Sequence, residues 1–188
     1  MGRRLRIHGL EHIDKHKKYI LLANHASLFD IMAIMAIHPG VSWFGREHLT
    51  RIPVFGRLLQ SIDYIPMKSG NLRNTKDMID QLVQNSQGLT IAIFPEGTRT
   101  LDGKINDFRR GFIHVLRSSE LEVLPVTLRG FYELKPKNRF HIKFNAKVNV
   151  VVHKPIENKT LTDKNDKEII STVKEVIESA YYKTATTS

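Results

Sequence analysis

An α/β fold, with a single mixed, largely parallel sheet flanked by helices, is what this sequence predicts. Two observations carry the prediction. Short continuous apolar runs such as Tyr19–Ala23 (YILLA) and Leu89–Phe94 (LTIAIF) read as strands buried on both faces, which parallel pairing requires. Such runs alternate along the chain with longer stretches at helical spacing, the pattern of a layered α/β domain. The 188 residues, 41% apolar and 26% charged, suffice for one domain with an ordinary core.

Taken in order, residues 3–8 form a first strand and Tyr19–Ala23 a buried second one. Leu28–Ile37 (LFDIMAIMAI) is rich in helix formers and stops at Pro39-Gly40. Val41–Phe44 is strand-like. Pro53–Leu59 reads as a short helix, with Pro53 at the first turn, where its missing N–H costs nothing. Asp63–Met67 is a further short strand. Asn71–Asn85 is helical, with Met78, Ile79, Leu82 and Val83 on one face. Leu89–Phe94 ends in Pro95-Glu96-Gly97. Phe108–Arg117 is a helix, and Val123–Leu128 and Phe140–Val152 are strands. Lys154–Asn165, polar with one proline, is the only candidate linker. Asp166–Tyr182 carries Ile169, Ile170, Val173, Val176, Ile177, Ala180 and Tyr181 at the spacing of a packing helix. Residues 1–153 are thus expected to form the body of the domain, with 154–188 as polar linker and C-terminal packing helix of the same domain.

The chain has no cysteine, which excludes disulfides, thiolate zinc sites and a cysteine nucleophile and leans toward a reducing compartment. It holds 29 Lys+Arg against 19 Asp+Glu, a net charge of +10. From Lys154 onward six lysines balance six acids, leaving 23 basic and 13 acidic residues in the body. A basic body points to a polyanion: nucleic acid, an anionic membrane or a phosphate-bearing substrate. No apolar stretch of a signal peptide follows Met1. Tyr19–Gly45 carries only Asp30 as a formal charge. Asn24, His25, Ser27 and Pro39-Gly40 interrupt it, so strand, helix and strand explain it better than a membrane span.

Two segments place reactive side chains directly after buried strands, where open α/β sheets build their sites. In the first, Asn24-His25-Ala26-Ser27-Leu28-Phe29-Asp30, His25 stands in the turn after a strand and Asp30 in the opening turns of a helix. A short loop can bring the Asp30 carboxylate onto one imidazole nitrogen. That fixes the tautomer and leaves the other nitrogen free to take a proton, worth about 10²–10⁴ in rate when it acts as a general base. A structural hydrogen-bonded pair is the bland alternative. Ser27 is expected to cap the helix, since it lacks a nucleophile-elbow setting. In the second, Phe94-Pro95-Glu96-Gly97-Thr98-Arg99, a tight Pro/Gly loop presents a hydroxyl and a guanidinium. Backbone N–H groups, Thr98 and Arg99 can hold a phosphate, Arg99 bidentately. Glu96 is expected to brace the loop through Arg99 or through backbone N–H groups.

Together, Asn-His-x4-Asp and Phe-Pro-Glu-Gly-Thr-Arg resemble the glycerophospholipid acyltransferase superfamily, and within it the 1-acylglycerol-3-phosphate acyltransferases. The likeness continues in Phe44–Leu49 with Arg46, in the turn from Pro53 to Gly56, and in Val123-Leu124-Pro125-Val126. It spans roughly residues 5–130. One departure stands out. The family closes its second block on an Asp-Arg pair after a hydrophobic strand, whereas Pro66 and Met67 stand here, with Lys68 one residue late as a point charge. A second departure is that the chain begins nearly at its first strand, without the family's frequent N-terminal helix pair.

The resemblance implies a glycerol-3-phosphate acyltransferase-like fold and transfer of a fatty acyl group from acyl-CoA or acyl carrier protein to lysophosphatidic acid, giving phosphatidic acid. His25 is the implied base and Asp30 its orienting partner. Asn24, Arg46, Lys68, Glu96, Gly97, Thr98 and Arg99 are the implied substrate-binding residues. A thioester is already activated, so no cofactor or metal is implied beyond the acyl-donor substrate. The implied partners are a lysophospholipid acceptor, the acyl donor and an anionic membrane surface. The implied location is cytoplasmic, peripheral at the inner face of the membrane. The alternatives are another lysolipid acceptor, a lipid-binding protein with a degenerate acceptor site, and a thioesterase. Nucleic-acid binding rests on charge alone, without a supporting motif, and is not expected.

Overall fold

Tyr19–Ala23 has no charged side chain to turn toward water, and all five of its residues are buried. In the computed structural model, which describes residues 5–46, 51, 64–67 and 90–182, this run is the central strand of a seven-stranded sheet. In chain order the strands are β1 (Leu5–His8), β2 (Tyr19–Ala23), β3 (Val41–Arg46), β4 (Tyr64–Met67), β5 (Thr90–Ile93), β6 (Glu122–Arg129) and β7 (Val148–Val152). The described helices are α1 (Phe29–Ile37), α2 (Gly111–Arg117), α3 (Phe131–Leu134), α4 (Asn158–Thr162) and α5 (Asp166–Tyr181), with a 3-10 turn at Leu10–His12.

The strands lie in the order β1-β7-β6-β2-β5-β3-β4. Every neighbouring pair runs parallel except β6 with β7. The sheet is therefore mixed and largely parallel, as the apolar runs predict. Leu21 of β2 pairs with Ala92 of β5 on one side and with Leu124 of β6 on the other. Strand alternation then divides the core in two. Tyr19, Leu21 and Ala23 face Ile31, Ile34 and Ile37 of α1. Ile20 and Leu22 face the opposite layer, built from Phe112 and Leu116 of α2 and Ile169, Val173 and Ile177 of α5.

Those three α5 residues are completely buried, each contributing roughly 1.5–3 kcal/mol of burial. Asn165 starts the helix with a capping box. It accepts from the N–H groups of Lys167 and Glu168, and the Glu168 carboxylate accepts from the Asn165 N–H.

Three expectations need correction. The strand expected at Phe140–Val152 is confined to Val148–Val152. Its partner β6 ends at Arg129, opposite Asn149, and the chain turns away at Gly130. Gly130 has φ +84, and a Cβ there would meet the Lys147 carbonyl oxygen at 2.0 Å, so residues before 148 have no β6 backbone to pair with. Lys154–Asn165 is not a free linker. Ile156 bridges Val123 through hydrogen bonds of 2.8 and 2.9 Å, and the fully buried Leu161 anchors α4. The helix expected from Phe108 begins at Gly111. The helices expected at Pro53–Leu59 and Asn71–Asn85 lie outside the described residues. The apolar stretch Tyr19–Gly45 resolves into β2, α1 and β3. Among the described residues no helix is long and apolar enough to cross a membrane.

Candidate active site

β2 and β5 are adjacent and parallel, so the segments leaving their C-terminal ends meet at one edge of the sheet. β2 delivers Asn24 and His25; β5 delivers Phe94, Pro95 and Glu96. Asp30, the second residue of α1, turns its carboxylate back onto the loop that precedes it. Its Oδ2 accepts from the N–H groups of Ala26 (2.6 Å) and Ser27 (2.7 Å) and stands 2.9 Å from His25 Nδ1. Two backbone donors hold Oδ2 as an acceptor, so the proton toward the ring belongs to Nδ1. Nε2 is left with a free lone pair. Asp30 is fully buried, while the His25 side chain keeps 15% exposure.

The imidazole is fixed on a face as well as at an edge. Phe94 stacks on it with centroids 3.9 Å apart and planes at 10°. Trp43 of β3 backs Phe94 at 5.3 Å and 29°. One hydrogen bond and one stacking contact leave the ring little torsional freedom.

The loop after β5 is tied to the loop after β2 at two points. Glu96 Oε1 accepts from the His25 N–H at 2.6 Å, and the Thr100 N–H donates to the His25 carbonyl at 2.9 Å. Glu96 Oε2 accepts from the Asn106 N–H at 2.8 Å. Burial pushes the Glu96 carboxyl up to about 7, with the two backbone donors opposing. Gly97 takes φ +68, and its N–H closes a turn onto the Phe94 carbonyl at 3.0 Å. Its missing side chain leaves room for Arg109, whose Cδ and Nε lie 3.1 Å from where a Cβ would stand. Arg109 is pinned there by its N–H on the Pro95 carbonyl, 2.8 Å. Thr98 and Gly97 are exposed, and Arg99 is half-buried. Burial holds the Arg99 guanidinium below its ordinary range, and the Asp30 charge opposes that shift. Among the described residues Arg99 has no hydrogen-bond or ion-pair partner.

The expected site residues divide into three groups. His25, Asp30, Gly97, Thr98 and Arg99 come together at this edge. Asn24 and Glu96 are there too, but turned inward: Glu96 braces the loop through backbone N–H groups, as one of its two expected modes, and the substrate contact that the resemblance implies for both is corrected. Asn24 is buried, and its amide is spent on β6: Nδ2 donates to the Leu128 carbonyl (2.8 Å) and Oδ1 accepts from the Leu128 N–H (2.7 Å). Glu96 has both oxygens on backbone N–H groups, not on Arg99. Arg46 ends β3, beside Met67 at the end of β4, which puts its backbone at the same sheet edge. Its side chain, and Lys68 altogether, lie outside the described residues. Ser27 falls short of the expected cap. Its hydroxyl donates to the Lys135 carbonyl at 2.8 Å and receives the Phe29 N–H only at 3.4 Å. The Asp30 carboxylate satisfies the loop donors instead.

Phe94, Trp43 and Arg109 complete the site without having been assigned to it from sequence. Phe94 stood inside the quoted segment, and Trp43 is the chain's single tryptophan. Arg109 offered only its place in a basic pair. The arrangement holds an oriented base at the same sheet edge as a guanidinium that has no anionic partner among the described residues.

Three comparisons bear on this arrangement. The family model described as Acyltransferase matches residues 4–129. The chain is 26% identical over 155 residues to the chloroplastic 1-acyl-sn-glycerol-3-phosphate acyltransferase LPAT1 of Arabidopsis thaliana, covering 81% of this chain and 44% of that protein. It is 30% identical over 186 residues to a 1-acyl-sn-glycerol-3-phosphate acyltransferase of Cocos nucifera, covering 96% and 58%. The chain therefore spans about half the length of these curated relatives. Among solved structures, the 1-acyl-sn-glycerophosphate acyltransferase PlsC of Thermotoga maritima superposes with a TM-score of 0.72 at 26% identity, covering 96% of this chain and 73% of that one.

Proposed function

The chain belongs to the acyltransferase family, and from that premise we propose that it moves a fatty acyl group from acyl-CoA or acyl carrier protein to the free hydroxyl of lysophosphatidic acid, giving phosphatidic acid. The observation that carries the reading is the His25–Asp30 contact of 2.9 Å, set beside a half-buried Arg99 that has no anionic partner among the described residues. A cation partly stripped of water gains most from an ionised ligand, and a guanidinium matches phosphate with two parallel hydrogen bonds.

In this reading the acceptor's phosphate sits on Arg99, with Thr98, the Gly97 backbone and Arg109 beside it. Its hydroxyl is then held near His25 Nε2. The hydroxyl oxygen attacks the thioester carbonyl carbon as its proton passes to Nε2. The carbon–sulfur bond breaks, and the departing thiolate takes that proton back. Asp30 keeps Nδ1 protonated and stabilises the imidazolium that forms. Holding both partners in place supplies up to about 7–11 kcal/mol of the barrier. The acyl chain needs apolar surroundings, at roughly 0.8 kcal/mol per methylene. The basic excess of the body suits anionic headgroups, so a peripheral position at the inner face of a membrane belongs to the same proposal.

Pro66 and Met67 close β4, where the resembling family carries its Asp-Arg pair. That favours a second reading in which the acceptor is a different lysolipid. The test is thiol release from an acyl thioester, with and without a panel of acceptors, phosphorylated and not. Release that depends on lysophosphatidate supports the proposal. Release that proceeds equally without acceptor makes the protein a thioesterase.

A further inference from the structure

The segment after α3 has a composition that the chemistry above leaves unused. Residues 134–156 contain no Asp or Glu, while 135–147 hold Lys135, Lys137, Arg139, Lys143 and Lys147. Within that basic stretch Phe140 is fully exposed, and Phe144 is 68% exposed. A phenyl ring left wholly in water forgoes burial that an ordinary loop would give it, and apolar exposure ringed by charge marks an interaction surface.

The segment is held by its own hydrogen bonds. The Lys143 N–H donates to the Leu134 carbonyl at 2.8 Å, which closes the loop on itself. The Arg139 guanidinium donates to the Glu133 carbonyl at 2.7 Å. The Lys135 ammonium donates to the carbonyls of Pro136 and Arg139. Lys135 and Arg139 thus brace the loop, and Lys137, Lys143 and Lys147 in the same segment are exposed. The root of the loop touches the site. The Lys135 carbonyl accepts from the Ser27 hydroxyl, and the Ser27 N–H sits on the Asp30 carboxylate. Leu101 is a further exposed apolar residue, at 61%. Its carbonyl accepts from the Tyr132 hydroxyl at 2.8 Å, and the preceding Thr100 is bonded to His25.

We propose that residues 135–147 are a membrane-docking loop: Phe140 and Phe144 enter the apolar boundary of an anionic bilayer while Lys137, Lys143 and Lys147 meet its headgroups. The inference rests on the acyl-transfer reading, for which it names the surface that brings a lipid acceptor to His25. An acidic carrier protein matches the charges, but it does not require two phenyl rings standing in solvent. A fluid apolar layer accepts such rings without a shaped pocket.

The test is flotation of the 188-residue chain with vesicles of phosphatidylcholine, alone or mixed with phosphatidylglycerol, and no substrate present. The wild-type protein floats with the anionic vesicles. The double variant Phe140→Ser/Phe144→Ser loses about tenfold or more in partitioning, with its circular dichroism unchanged because the rings pack on little. Replacing Lys137, Lys143 and Lys147 by Gln removes the preference for anionic lipid. As an independent readout, Phe140→Trp shifts its emission to the blue on anionic vesicles, against the constant background of buried Trp43. Wild-type partitioning by the double variant overturns the proposal. So does a Phe140→Trp emission that vesicles leave unmoved, or a loop that binds acidic carrier protein and not vesicles. Wild-type turnover of a short-chain, water-dispersed lysophosphatidate reports separately on the chemistry. If that turnover is absent while flotation behaves as expected, lysophosphatidate is not the acceptor and the docking surface stands.

Discussion

Thr100 donates its backbone N–H to the carbonyl of His25 across 2.9 Å. With the Glu96 carboxylate on the His25 N–H, both backbone groups of the histidine are held by the loop that also carries Arg99. The base and the anchor for an anionic acceptor are therefore parts of one braced unit. A disturbance of the Pro95–Thr100 loop shifts both, and a reaction that depends on their separation is sensitive to sub-ångström changes there.

Asp30 has two duties that substitutions separate. Asp30→Ala leaves the Ala26 and Ser27 N–H groups unpaired in a buried site, at about 1–3 kcal/mol each. Thermal denaturation should therefore show a lowered Tm, together with lost activity. Asp30→Asn can keep its one oxygen on all three donors, with the amide nitrogen in the place of the unpartnered Oδ1, but it removes the charge that stabilises the imidazolium. Its kcat is expected to fall about 10³-fold or more with a much smaller change in Tm.

Arg99→Ala should act mainly on the acceptor. A hydrogen-bonded charge lost from a half-buried position corresponds to about 10–100-fold in acceptor KM, with the KM for acyl donor little changed. Arg99→Lys restores charge without the planar fork and is expected to recover only part of the affinity. Steady-state kinetics with each substrate varied in turn checks both.

Glu96 makes stability depend on pH in a defined direction. Burial raises its carboxyl from an ordinary value of 4.5 to about 7 in the folded protein. The folded state thus holds this proton over a range in which the unfolded chain has lost it. The contribution is complete below about 4.5 and disappears as pH rises through about 7. Burial lowers His38 and His153, which act with the opposite sign. The difference between wild type and Glu96→Gln isolates the carboxyl, since both histidines are common to the two. Urea titrations across pH 4.5 to 8 should show the wild-type advantage shrinking as pH rises.

Phe94 holds the His25 ring by stacking and touches no proton in the proposed reaction. Phe94→Ala is expected to lower kcat about tenfold while acceptor KM stays near wild type. Phe94→Tyr, which keeps the ring, should restore the rate. A purely structural role would lower Tm without this separation of kcat from KM.

The central sheet was legible because its strands are buried on both faces. Tyr19–Ala23 and Thr90–Ile93 have no polar alternation to confuse a strand with anything else. The limits of β7 were not legible, since they follow from where β6 ends, a tertiary fact that Phe140–Val152 does not encode. The Lys154–Asn165 stretch misled through its polarity: two apolar residues, Ile156 and Leu161, suffice to seat it. At the site, His25 with Asp30 and the Arg99 loop could be read from their positions after strands. The inward turn of Asn24 could not, because its partner Leu128 lies on another strand. Nor could the stack of Phe94 on His25, which depends on β2 and β5 being neighbours.

The central claim is that His25 takes the proton of a lipid hydroxyl, and the most direct measurement is acceptor-dependent thiol release by His25→Ala. A fall of about 10³-fold or more against wild type is expected, with circular dichroism unchanged and only a modest fall in Tm, because the Phe94 stack and one hydrogen bond are lost while Asp30 keeps its two backbone donors. A folded His25→Ala protein that keeps a tenth or more of the wild-type rate would contradict it.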